Sequence, residues 1–163
     1  MDFIKITEKN QNQIEIVYSI LKESGRYMVD TFGLMHWSKP YSKEKIEQDI
    51  ENKDVYIVRD NNQNIATFML SEDTSYYFEE IPDENAVYLS KLAVNPDVVN
   101  SGIGTACMNY IEEICRQNNK TRIRLDVYDK SVQAVNFYIK MGYKELFLKD
   151  TTNFRVICME KEL

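Results

Sequence analysis

A β-forming run at residues 87–94 ends in Asn95-Pro96-Asp97 and is followed by Gly102-Ile103-Gly104, where an amphipathic helical pattern begins. Ile103, Cys107, Tyr110, Ile111 and Ile114 recur at steps of three and four, and a second strand, 122–127, follows with Ile123, Leu125 and Val127 on one face. Strand, glycine turn, helix and strand make a βαβ-like unit, which commits the chain to a sheet with helices packed on it. Only five glycines occur in 163 residues, so two within three positions call for a reason. Glycine at a helix start lets backbone approach a ligand. The unpaired first-turn N–H groups, at the positive end of the helix dipole, attract an anion such as phosphate. Plain turn geometry is the competing reason.

The other elements frame this unit. A strand at 3–6 precedes a helical stretch from about 11 to 32, for which Thr7 is the expected cap and Ser24-Gly25 an expected break into two helices. A loop at 33–41 carries His36 and Trp37, and Ser42 caps a short helix to about 50. Residues 55–59 and 65–70 read as a hairpin across Asp60-Asn61-Asn62-Gln63-Asn64. The segment 71–86 holds six acids and no Lys or Arg, and reads as a solvated loop. A helix capped by Ser131 or Asp129 ends at Gly142, and strands at 143–148 and 154–159 close the chain. The order β, α, α, β, β, β, α, β, α, β, β predicts a mixed α/β sheet in a single domain spanning 1–163, without an interdomain linker or repeat.

Composition narrows the function. Lys plus Arg number 20 against 26 Asp plus Glu, a formal charge of −6 that argues against non-specific nucleic-acid binding but not against a small anion held locally. No apolar run reaches about 18 residues and no secretory leader pattern is present, so a cytoplasmic protein without membrane partners is expected. Cys107, Cys115 and Cys158 lack CxxC spacing and lie in apolar contexts, which predicts reduced core thiols and no metal site. His36 is the only histidine, so schemes needing two are excluded.

Two phosphate motifs compete for the glycine pair. GxGxxG is half matched, with Asp126 near the place of a ribose-binding acid, but Cys107 stands at the third glycine; GxxxxGK[ST] is absent. The residues instead resemble the GCN5-related N-acetyltransferases (GNAT), which move acetyl from acetyl-CoA to amines. Leu92-Ala93-Val94-Asn95-Pro96 followed by Gly102-Ile103-Gly104 is similar to the family's strand, turn and R/Q-x-x-G-x-G/A helix start. Ser131, Ala134, Phe137, Tyr138, Gly142 and Tyr143 are similar to its N-x-x-A-x-x-F/L-Y-x-x-x-G-F stretch. Val99 replaces the family's Arg or Gln, Asn100 and Ser101 differ from common residues, and Ser131 stands for Asn.

The resemblance implies a GNAT-like acyl-CoA N-acyltransferase fold, with a mostly antiparallel sheet splayed at the cofactor slot and helices on both faces. It implies acetyl-CoA as cosubstrate, held by Leu92, Ala93, Val94, Val99, Asn100, Ser101, Gly102, Ile103, Gly104, Thr105, Ser131, Phe137 and Tyr138. Arg116, Lys120 and Lys130 fall near the place of the ribose 3′-phosphate. Tyr138 matches the position of the acid that protonates the leaving thiolate. Where histone-type members carry their basic Glu, this chain has Tyr88, and Glu79, Glu80 or Glu84 could serve instead. His36, Trp37 and Tyr88 are the implied acceptor-binding residues. The acidic segment is an expected attractor of a cationic acceptor.

The expected function is transfer of acetyl to a primary amine, small molecule or peptide, by direct attack in a ternary complex, with a homodimer left open. The alternatives are a non-catalytic acetyl-CoA-binding or regulatory module on the same fold and, more distantly, a dinucleotide-binding oxidoreductase.

Overall fold

The computed structural model describes all residues, Met1–Leu163. Its elements are β1 (Asp2–Lys5), α1 (Gln11–Phe32), α2 (Lys43–Asn52), β2 (Asp54–Asp60), β3 (Gln63–Ser71), β4 (Ala86–Val94), α3 (Ile103–Gln117), β5 (Arg122–Tyr128), α4 (Val132–Lys140), β6 (Lys144–Asp150) and β7 (Arg155–Glu162). Short 3₁₀ turns lie at Met35–Trp37, Tyr76–Phe78 and Pro96–Val98. Seven strands form one open sheet in the order β1-β2-β3-β4-β5-β7-β6, the mixed α/β class read from the sequence. β4 and β5 run parallel, whereas β1–β2, β2–β3, β5–β7 and β6–β7 are antiparallel. No helix is long and apolar enough to cross a membrane.

One compact unit comprises Met1–Leu70 and Lys91–Cys107. Its core gathers Ile14, Val17, Ile20 and Leu21 of α1 with Ile46, Val55, Ile57, Met69 and Ala93. Each large aliphatic side chain buried there contributes about 1.5–3 kcal/mol. Asn10, not Thr7, caps α1, its Oδ1 accepting from the N–H groups of Asn12 (2.9 Å) and Gln13 (3.3 Å). α1 also runs unbroken through Ser24-Gly25, contrary to the sequence reading. Glycine is needed at 25 because a Cβ there would lie 3.2 Å from the Trp37 carbonyl oxygen, so the residue admits a neighbouring turn rather than ending the helix. The stop comes at Gly33, left-handed at φ 67°, whose N–H donates to the Val29 carbonyl while that of Leu34 donates to Met28. In the β2–β3 hairpin, Asn61 and Asn62 both have positive φ (47° and 63°) and Asp60 pairs Gln63, the two-residue turn whose twist matches the strands. The sequence placed five residues in that turn; Gln63 and Asn64 belong to β3.

The other unit comprises Ser71–Ser90 and Met108–Leu163. On one face Phe78, Ala86, Tyr88, Val156 and Cys158 form a buried cluster against which Tyr77, Phe147 and Phe154 pack. The segment 71–86 is therefore anchored rather than simply solvated. Phe78 is fully buried, edge-on to Tyr88 (5.5 Å) and Phe147 (5.8 Å). Its acids are also matched by bases from elsewhere in the chain. Glu72 pairs Lys120 (2.7 Å), Glu80 pairs Lys149 (3.0 Å) and Asp83 pairs Arg122 (2.8 Å). Three of its six negative charges thus have partners within the chain.

Burial pushes the Cys107 thiol up to about 12, and Cys115 and Cys158 to about 11 and about 12, so all three stay neutral core thiols at pH 7. Tyr143 is 3% exposed and its hydroxyl has no hydrogen-bond partner. Replacing an unsatisfied buried donor by C–H removes a desolvation cost of about 1 kcal/mol. Tyr143→Phe is accordingly expected to raise the thermal midpoint by about 2–4 °C; a lower midpoint in a calorimetric scan would show that the hydroxyl is satisfied in solution.

Candidate active site

In the first unit, β4 delivers Leu92, Ala93 and Val94, of which Ala93 is buried and the others half-buried. Within the strand, Lys91 has φ 55°, a left-handed conformation that costs a non-glycine residue about 1–3 kcal/mol and concentrates at functional sites. Its ammonium stands 4.5 Å from the centre of the Tyr41 ring and 6.0 Å from that of Trp37. The Tyr41 hydroxyl donates to buried Asp49 at 2.7 Å, and Asp49 also meets Lys53 at 2.9 Å. His36 packs 5.3 Å from Trp37, and burial, then the Lys91 charge, lowers its pKa, leaving the imidazole neutral at pH 7. The structure thus brings His36 and Trp37 together with Lys91 and Tyr41. The sequence reading missed these two, since nothing local marks a lysine in a strand as the centre of an aromatic cluster.

β4 leads into a turn built by its own side chains. Asn95 Oδ1 accepts from the Asp97 N–H (3.0 Å), and the Ser101 hydroxyl donates to the Val98 carbonyl. Asn100 (φ 63°) and Gly102 (φ 84°) then reverse the chain into α3, the Gly102 carbonyl accepting from Ala106 N–H at 3.0 Å. A Cβ on Gly102 would meet nothing within 4 Å. Glycine is required there by its backbone angle, and the space beside it is open. Gly102 is thus the half-in residue before α3, and the N–H groups of Ile103, Gly104 and Thr105 lack acceptors within the helix. An exposed helix start of this kind suits phosphate. Val99 is half-buried, its N–H on the Pro96 carbonyl at 3.4 Å.

In the second unit, β4–β5 pairing covers Ala86↔Arg122 to Tyr88↔Arg124, although both strands run further. Tyr88 is 4% exposed and its hydroxyl accepts from Arg124 Nη1 at 3.3 Å. Arg124, 6% exposed, also donates to Glu160 (2.7 Å) and to the Ile81 carbonyl (2.5 Å), and its guanidinium lies 5.3 Å from the Phe78 ring centre. Glu80 lies at the surface on Lys149. α4 contains no buried residue. Tyr138 on it is half-exposed, 5.3 Å from Phe137 and 5.7 Å from Tyr143, so it is not a core aromatic. Ser131 is buried ahead of α4 without capping it through its side chain. Of the basic residues noted for a ribose phosphate, Arg116 pairs Glu112 (3.3 Å) and Lys120 pairs Glu72, while Lys130 is exposed.

Solved structures share this fold. Residues 15–143 match the model of the acetyltransferase (GNAT) family. An N-acetyltransferase of Bacillus subtilis (strain 168), YesJ, is 28% identical over 156 residues, 91% of this chain and 84% of its own. The peptidyl-lysine N-acetyltransferase YiaC of Escherichia coli (strain K12) is 27% identical over 107 residues, 66% of this chain and 67% of its own. Among solved structures, the PaiA N-acetyltransferase of Thermoplasma acidophilum in complex with coenzyme A superposes with a TM-score of 0.74 over 100% of both chains, at 19% identity. Matched along most of its length, and carrying the strand, turn and glycine helix start of that family, the chain belongs to the GNAT acetyltransferases.

Proposed function

We propose that this acetyltransferase moves acetyl from acetyl-CoA to a primary amine by direct attack in a ternary complex, within one functional domain in the cytoplasm. The observation that carries the reading is the left-handed Gly102 turn at the open start of α3, directly after Leu92-Ala93-Val94. The N–H groups of 100–105 suit the pyrophosphate of CoA, and the backbone at Leu92 and Val94 suits the pantetheine amides. Because backbone supplies the donors, Val99 costs little relative to Arg or Gln. That PaiA was solved with coenzyme A supports this assignment.

In this reading, an ammonium with a pKa of about 10.4 gives its proton to bulk water, and the neutral amine then attacks the thioester. A strand N–H near Leu92 or Ala93 stabilises the oxyanion, and Tyr138 gives the leaving thiolate its proton. His36 and Trp37 line the acceptor side. Tyr88, bonded to buried Arg124, and Glu80, paired with Lys149, are the further catalytic candidates, and Tyr88 also belongs to the acceptor side.

Thiol release with an amine panel, together with calorimetric titration of acetyl-CoA, tests the reading. Saturable binding and amine-dependent release are expected. Gly102→Val, which forces a side chain into left-handed φ, should raise the KM for acetyl-CoA by about 10-fold or more. Binding without release for any amine would overturn transfer in favour of a bare CoA-binding module.

A further inference from the structure

Three elements converge on the ammonium of Lys91. The left-handed backbone at Lys91 (φ 55°) interrupts the regular geometry of β4, a strain that persists only where the surroundings hold it. Trp37, its ring centre 6.0 Å from the ammonium, is seated on α1, where a Cβ at Gly25 would lie 3.7 Å from the ring atom Cε3. Tyr41, at 4.5 Å, is fixed by α2, because its hydroxyl donates to buried Asp49 at 2.7 Å. A half-buried positive charge is thus held in place by β4, α1 and α2.

The cluster is positive on balance. A second ammonium, that of Lys45 on α2, stands 5.6 Å from the centre of the same Tyr41 ring. The carboxylate nearest in the network, Asp49, is engaged by the Tyr41 hydroxyl and by Lys53 at 2.9 Å. The reach of the Lys91 charge shows in its neighbour: after burial, it is the further cause lowering the pKa of His36. A ring face meets one side of an ammonium and leaves N–H donors on the other, so a cation carried on aromatic rings still donates to an anion. Held in advance, such a donor binds a carboxylate without first losing side-chain freedom.

Resting on the acetyl-transfer reading, in which His36 and Trp37 line the acceptor side, we propose that Lys91, carried on the Trp37 and Tyr41 rings, binds a carboxylate of the acceptor. The acceptor class is then an amine with a carboxylate close to the reacting nitrogen, as in a free amino acid. The same fixed cation repels a second ammonium, so diamines are poor acceptors.

The test compares alanine, methionine, phenylalanine and glutamate, each with its own α-amide, and 1,5-diaminopentane, at saturating acetyl-CoA. For the best amino acid, kcat/KM should exceed that of its amide by about 10-fold or more, and that of the diamine by more. Lys91→Met, which keeps the length of the side chain and removes its charge, should bring the acid-to-amide ratio close to one, chiefly through the KM for the acid. Lys91→Arg should restore most of the preference, which a packing role would not require. The calorimetric Kd for acetyl-CoA should stay within about twofold in both variants. Amides or the diamine used as well as the acids, or an undiminished preference in Lys91→Met, would overturn the carboxylate subsite while leaving acetyl transfer intact. A Kd for acetyl-CoA weakened about 10-fold in Lys91→Met would assign the cation to the cofactor and overturn the subsite as well. Failure of wild type to bind acetyl-CoA, or to turn over any amine, would overturn acetyl transfer and the subsite with it.

Discussion

Tyr138→Phe is expected to lower kcat about 100-fold at pH 7 and to leave the KM for acetyl-CoA within about twofold, because only the phenolic hydroxyl, the proton donor, is removed. The ring, with its contacts to Phe137 and Tyr143, is kept. The physical basis is the leaving group. A thiolate whose conjugate acid has a pKa of about 8.5 departs poorly unless a proton arrives with it. The defect should therefore shrink as pH rises past about 8.5, where the thiolate leaves without help. A rate profile from pH 6 to 10 in wild type and variant checks this, and a pH-independent defect would point to a packing role. The placement favours chemistry: α4 buries none of its residues, so Tyr138 has an edge left to present.

Loss of the Arg124 guanidinium is expected to be the most damaging single change to stability. Arg124→Leu should cost about 3 kcal/mol, lowering the thermal midpoint by about 10 °C, because it leaves the Tyr88 hydroxyl and the Ile81 carbonyl without their donor and the half-buried Glu160 carboxylate with only Arg122, 3.6 Å away. The effect comes from the abandoned partners more than from the pair itself. The double variant Arg124→Leu with Glu160→Leu should accordingly recover part of the loss. If the double variant melts below the single one, the weakened pairing of the Glu160 carboxylate is not the cause. Because Arg124 holds the segment before β4 through Ile81, hydrogen exchange in residues 76–85 should rise in the single variant.

Local features were legible and non-local ones were not. The turn into α3 could be read from Asn95-Pro96 and Gly102 because its geometry depends on residues within a few positions of one another. Ser42 was likewise legible as a cap, accepting from Lys45 N–H three residues on. Gly25 misled because a glycine inside a helical pattern reads as a break, whereas its cause, the carbonyl of Trp37, lies twelve residues away. The acidic segment misled for the same reason: Lys120, Arg122 and Lys149 are 39 to 69 positions from the acids they match.

By itself the sequence determined the element order, the mixed sheet, the glycine-started helix after Leu92-Ala93-Val94 and the family these imply, because periodicity and backbone preference act over a few residues. Tertiary structure alone decided which charges are matched. It also decided which tyrosine keeps an exposed edge. Burial and ion pairing depend on residues that only the folded sheet brings side by side, and those properties set the chemistry of a site.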